Sequence, residues 1–197
     1  MSALDLSSDV GLVALFALTA NLLLGLLLGM KYNPWKHWPH RRFNYFAVHN
    51  WTGYVALALA ILHPILLLAS SEAKFGVLAI VYPVVAPKQP WINVLGAAAL
   101  YVLILVVVTS YYRRRMKRHT WKLIHYCAYA AAILFFIHGI WSDPTLKDAP
   151  IDYLDGEKVG VEICALLVLA VSVIRVRMAL RHRRAPAGAQ RTRRVAA

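Results

Sequence analysis

The chain has 197 residues, 60% of them hydrophobic, and a mean hydropathy of +0.55. A soluble domain carries about 45–50% apolar residues, so lipid rather than a water-surrounded core is the expected solvent. The formal net charge of +13 does not indicate nucleic acid, because the basic residues fall in short blocks between long apolar runs.

Five apolar runs meet the membrane-span length of roughly 20 residues. In chain order they are Val10 to Met30, Phe46 to Ser70, Trp91 to Tyr112, Trp121 to Trp141, and Val159 to Leu180. The first is read as a span and not as a cleaved signal, because Asp5 and Asp9 stand where a signal carries Lys or Arg. The fifth is the weakest, since it holds Glu162 and is interrupted by Arg175. Between the second and third runs, Phe75 to Ala86 is apolar but too short to cross. It is expected either as a lid on the outer end of the bundle or as a surface segment without a role.

Charge sets the expected orientation. Lys31, Lys36, Arg41 and Arg42 follow the first span, and Arg113, Arg114, Arg115, Lys117, Arg118 and Lys122 lie between the third and fourth. Eight arginines from Arg175 to Arg194 end the chain, so one side receives eighteen of the 22 basic residues. The positive-inside rule then puts the N-terminus outside and the C-terminus in the cytoplasm. It also requires the fifth run to cross, since otherwise eight arginines would be stranded outside. Trp35, Trp38, Trp51, Trp91, Trp121 and Trp141 fall near span ends, as an interfacial aromatic belt should. The expectation is an all-α, polytopic bundle of five transmembrane helices in the inner (plasma) membrane. Residues 1–182 form the bundle, and 183–197 form a basic, disordered cytoplasmic tail. Cys127 and Cys164 lie inside apolar runs and form neither a disulfide framework nor a CxxC motif.

Ionisable residues within spans are costly and mark function by default. The second span carries His49 and His63, fourteen residues apart; the fourth carries His125 and His138, thirteen apart. At 1.5 Å rise these spacings are about 21 Å and about 19.5 Å. Two axial nitrogens on one metal lie about 4 Å apart, twice a metal–nitrogen bond of roughly 2 Å. Histidines of one helix therefore cannot share an iron, whereas histidines at one depth on two helices can. Both spans run in the same direction, which pairs His49 with His125 and His63 with His138. The pattern predicts two stacked haems, each with two histidine ligands. Fourteen residues return to within about 40° of one helix face, but thirteen fall short by about 140°. The fourth span must then be overwound, bulged or tilted, or its two rings reach the interior by different routes. Pro64, directly after His63, either opens the second helix or merely kinks it. Ala128, Ala130, Ala131 and Ala132 leave room for a flat macrocycle, and are equally ordinary at helix interfaces.

The stretches "HNWTGYVALALAILHP" and "RHTWKLIHYCAYAAAILFFIHGIWSD" resemble the ferric reductase-like transmembrane domain, over roughly Pro39 to Asp143. That superfamily holds the membrane parts of ferric reductases and NADPH oxidases and the haem-binding subunit of methionine-sulfoxide reductase systems. The resemblance implies an oxidoreductase with two b-type haems on His49/His125 and His63/His138. It also implies electron flow from the cytoplasm to an outer acceptor such as ferric iron or dioxygen. No GxGxxG motif occurs, and only a basic tail follows Leu180. A separate cytoplasmic flavoprotein or a quinol is therefore the expected donor.

Two other functions stand beside this one. The chain could be an electron-transfer subunit feeding a separate outer reductase, or a non-redox transporter with a histidine proton relay. Arg41, Arg42, Arg118 and Lys122 flank the inner pair as candidate partners of haem propionates, and they also serve as topology determinants. The basic tail either docks an acidic flavoprotein or touches anionic lipid. His37, His40, His119 and His182 lie in basic stretches and read as solvated surface histidines. Asp143, Asp148, Asp152, Asp155 and Glu157 either gather ferric iron or form a solvated acidic loop.

Overall fold

A computed structural model describes residues 2–31, 44–147 and 150–184. Arg41, Arg42, His37, His40, Trp35, Trp38, Asp148 and the tail beyond residue 184 lie outside the described residues. The described chain is helical, without strands: α1 (Ala3–Gly29), α2 (Tyr45–Leu68), α3 (Val77–Val81), α4 (Pro90–Tyr111), α5 (Arg118–Trp141) and α6 (Gly156–Arg184). Five of these, all but α3, are long and apolar enough to cross a membrane.

The helix ends follow local chemistry. α1 begins seven residues before the apolar run because Ser2 and Asp5 form a capping box, Ser2 N–H donating to Asp5 and Asp5 N–H to the Ser2 hydroxyl. Asn44 caps α2 by accepting from Ala47 N–H at 3.1 Å. α2 stays helical through Pro64 to Leu68, so the helix does not open there. α5 is α-helical from end to end, without the bulge that its thirteen-residue histidine spacing allowed for.

α1 packs along α2 and α4 along α5, and α6 closes the bundle mainly against α1. The shared core takes Leu15, Leu18 and Leu22 from α1, Ala56 and Ala60 from α2, Leu103 from α4, Ala132 and Phe136 from α5, and Val161, Cys164 and Val168 from α6. A second, smaller cluster seals one end, where Phe75, Ala79 and Ala86 pack on Leu4, Leu67 and Ala73. This is the short apolar segment between the second and third spans. It folds as α3 and a 3₁₀ turn, Pro83–Val85, laid across the end of the bundle.

That segment is locked by Gln89, the residue before α4. Gln89 adopts a left-handed backbone conformation (φ 46°, ψ 49°). Its side chain pairs with the Asp143 backbone at the far end of α5, accepting from Asp143 N–H at 3.1 Å and donating to Asp143 C=O at 3.4 Å. Gln89→Ala keeps the backbone strain and loses the clamp, so it should cost about 1–2 kcal/mol of stability. Gln89→Gly loses the same clamp but removes the left-handed penalty, and should retain roughly 1 kcal/mol more than the alanine variant. Thermal unfolding of the two variants in detergent measures this order; a glycine variant no more stable than the alanine one contradicts it.

Candidate functional site

Two pairs of histidines face one another at two levels of the bundle. His49 and His125 have ring centroids 6.2 Å apart and planes at 79°. His63 and His138 have centroids 6.4 Å apart and planes at 69°. The thirteen-residue spacing is met without distorting α5, because its two histidines take different routes inward. His138 seats against Gly96 of α4, whereas His125 stacks on Trp121 at 5.2 Å and meets Ser110.

Every one of these rings is anchored through Nδ1. His63 Nδ1 lies 2.7 Å from Ser7 C=O, His49 Nδ1 3.2 Å from Asn21 C=O, and His138 Nδ1 2.9 Å from Ile92 C=O. A carbonyl only accepts, so each of these rings carries its proton on Nδ1 and turns a bare Nε2 lone pair elsewhere. His125 Nδ1 instead meets the Ser110 hydroxyl at 3.2 Å, an oxygen that also accepts from Trp121 Nε1–H at 3.3 Å.

A glycine makes each carbonyl contact possible. Side chains on a helix lean toward its N-terminus, so the residue at i+4 covers the carbonyl of residue i. Gly11 follows Ser7 by four, Gly25 follows Asn21 by four, and Gly96 follows Ile92 by four. A Cβ on Gly11 would stand 2.8 Å from the His63 ring, one on Gly25 3.1 Å from His49, and one on Gly96 2.9 Å from His138. The three rings occupy the space that a side chain would fill.

On α1 the device is repeated whole. Ser7 Oγ donates to His63 C=O at 2.8 Å, and Asn21 Nδ2 donates to His49 C=O and to Thr52 Oγ1. Each α1 residue thus grips the ring of a histidine with its backbone and that histidine's backbone with its side chain. Ser7 and Asn21 are fourteen residues apart, as are Gly11 and Gly25, matching His49 and His63.

The separations can be tested against an iron. A metal–nitrogen bond of about 2.0 Å, plus about 1.1 Å from nitrogen to ring centre for ring bonds of about 1.33 Å, places two trans imidazole centroids about 6.2 Å apart. Both observed pairs agree with this value. Each histidine pair could therefore hold one metal centre between its two rings. Among the described residues no group of three or more His, Cys, Asp or Glu is assembled, so two-ligand sites are what the bundle offers.

The His63/His138 pair opens on a cavity of about 180 Å³. Phe75, Ala79, Ile80 and Pro83 line one side of it, so the short segment does lie over this level, as the lid reading expected. Of the basic candidates, Arg118 and Lys122 are exposed on the first turns of α5. Two other cations belong to the His49/His125 level. Arg113 stacks 4.3 Å over Phe46, one turn before His49. Arg175 donates to Tyr129 OH at 2.6 Å and rests on Gly29. In the acidic loop, Asp143 accepts from Thr145 N–H at 2.8 Å and Lys147 N–H at 3.0 Å, and Asp152 accepts from Leu154 N–H at 2.9 Å. These carboxylates shape local turns.

Reading the sequence missed Ser7, Asn21, Ser110 and the three glycines, though the fourteen-residue repeat within α1 was a signal in plain view. No curated protein and no solved structure matches the chain. The family model described as ferric reductase like transmembrane component matches residues 11–136, a stretch that includes His49, His63 and His125 and stops just short of His138. That stretch is well over half of the chain, and this multi-pass membrane protein belongs to the ferric reductase-like transmembrane family.

Proposed function

We propose that the chain carries electrons across a membrane, as an oxidoreductase component with two b-type haems held by His63/His138 and His49/His125. The observation that supports this most is the pair of ring separations, 6.2 and 6.4 Å, at two levels of one bundle. Each haem, when bound, supplies a reversible one-electron centre. The protein's own part is to hold His49, His63 and His138 in the tautomer that offers Nε2, and to position His125 against Ser110 and Trp121. Ala56, Ala60, Leu18, Leu22 and Ala132 fill the core between the levels.

The charge pattern supports an orientation in which His49/His125 lies beside the cytoplasm and His63/His138 near the outside. Electrons then enter from a separate flavoprotein or a quinol and leave to ferric iron, dioxygen or a partner reductase. α3 and its neighbouring turn screen the exit level, which suits a site whose acceptor must approach from outside.

Purified protein should show a reduced b-type spectrum with two haems per chain, and each of His49→Ala, His63→Ala, His125→Ala and His138→Ala should remove about one. The inter-ring angles of 79° and 69° should also give strongly anisotropic low-spin ferric EPR signals. Haem content unchanged by one of the four substitutions removes that histidine from the ligand set.

Gly96→Val and Gly11→Val should each weaken haem binding at the His63/His138 level roughly 10–100-fold, the usual effect of disturbing what holds a metal ligand. Gly76→Val, where an added Cβ meets nothing within 4 Å, should leave it unchanged. Haem titration of the three variants decides whether the glycines position the rings.

Orientation has its own test. A cysteine introduced at Lys147 should react with an impermeant maleimide on intact cells, against a background variant lacking Cys127 and Cys164. Labelling only after lysis would reverse the assigned direction.

A further inference from the structure

Three of the four rings are anchored alike, and His125 is the exception. His49, His63 and His138 donate from Nδ1–H to backbone carbonyls. His125 Nδ1 lies 3.2 Å from Ser110 Oγ, and that oxygen also accepts from Trp121 Nε1–H at 3.3 Å. The Trp121 ring in turn stacks on His125, with centroids 5.2 Å apart and planes at 26°. Ser110 stands fourteen residues after Gly96 on α4, so at this level a hydroxyl replaces the carbonyl bared by a glycine. One indole thus covers a face of the His125 ring and draws on the oxygen that serves its Nδ1.

A serine oxygen has two lone pairs, and the indole N–H occupies one. His125 can offer Nε2 to an iron only with its own proton on Nδ1, and that proton then needs the other lone pair. Two N–H donors on one oxygen weaken each other, because both draw on the same electron density. A hydroxyl is also a poorer acceptor than an amide carbonyl. The stronger the acceptor at Nδ1, the better Nε2 donates to a metal. A weakly donating axial ligand favours ferrous over ferric iron. We propose that Ser110 and Trp121 are positioning residues that raise the reduction potential of the His49/His125 centre, by keeping His125 a weaker ligand than the three carbonyl-anchored histidines. Ser110 receives the Nδ1 proton, and Trp121 limits how strongly it does so. The device belongs to one level only, so it separates the potentials of two otherwise similar centres.

This inference rests on the two-haem reading, and the test separates the two. Full-length protein with both haems is titrated potentiometrically, and His138→Ala protein identifies the wave that belongs to His49/His125. Trp121→Phe keeps a ring against His125 and frees the Ser110 oxygen for Nδ1, so the potential of this centre should fall. Ser110→Ala takes the acceptor from Nδ1–H, so the potential should rise. Ser110→Thr keeps the hydroxyl and should stay near the parent value. The His63/His138 wave should not move in any of the three. Loosened packing alone would move the phenylalanine and alanine variants in the same direction, whereas the hydrogen bond requires opposite ones. Shifts of one sign, no shift at all, or a threonine variant displaced as far as the alanine variant would overturn the proposal and leave the two-haem reading intact. Should Ser110→Ala lose this haem altogether, Trp121→Phe still decides: a fall supports the proposal, and a rise or no change overturns it. Failure of the parent chain to bind any haem would overturn the proposal and the reading together.

Discussion

An imidazole inside a lipid-embedded helix bundle must find an acceptor for its Nδ1 proton, and almost every acceptor there is already engaged in helix hydrogen bonds. The bundle solves this with backbone carbonyls that accept twice. Ser7, Asn21 and Ile92 each offer a carbonyl uncovered by a glycine four residues on. The contact requires near-touching helices, so it fixes how closely α1 lies on α2 and α4 on α5. It also fixes register, because a one-residue slip would put a side chain where the ring must sit. Depth, tautomer and ring direction all follow from this one hydrogen bond.

The two levels are not equivalent. At His63/His138 both rings donate to carbonyls; at His49/His125 one of them meets a hydroxyl that is already bonded to an indole. The difference traces to spacing. Gly96 and Ser110 are fourteen residues apart on α4, whereas His125 and His138 are thirteen apart on α5. The α5 rings therefore cannot both use the same device, and Ser110 with Trp121 completes the seat of His125. A hydrogen bond to one imidazole nitrogen sets how strongly the other donates, so the two levels present electronically different histidine pairs. Their surroundings differ as well: Arg113 and Arg175 lie at one level and Lys158, between carbonyls, at the other.

Between the levels the bundle is built from alanine and leucine. Ala56, Ala131 and Ala132 are almost fully buried, so small side chains let α2 and α5 approach the axis of the bundle. Apolar packing of this kind lowers the local dielectric, so a charge placed beside it feels its neighbours more strongly than it would in water. The ends are treated differently. α3 and the Pro83–Val85 turn cover the His63/His138 level, and Gln89 fastens that cover to the end of α5. The Ser2–Asp5 capping box, the cover and the buried lysine thus all lie at the same end of the molecule.

The sequence by itself determined the helical class, the five spans and the pairing of histidines by depth. These depend on period and length: twenty apolar residues need a bilayer, and fourteen residues of helix have one rise. Boundaries were less legible, since α1 gains its first turn from the Ser2–Asp5 box and not from hydrophobicity. The histidine seats were decided only by tertiary structure. Gly11, Gly25 and Gly96 look like ordinary small residues at a helix interface until an opposing ring is placed against each. The resolution of the thirteen-residue spacing belongs here too, because the route of a side chain depends on the neighbouring helix as well as on its own. Lys158 shows the same limit. In sequence it is one of four scattered lysines on the sparsely basic side; in the fold it is the one closed in by carbonyls that only chain packing could bring to it.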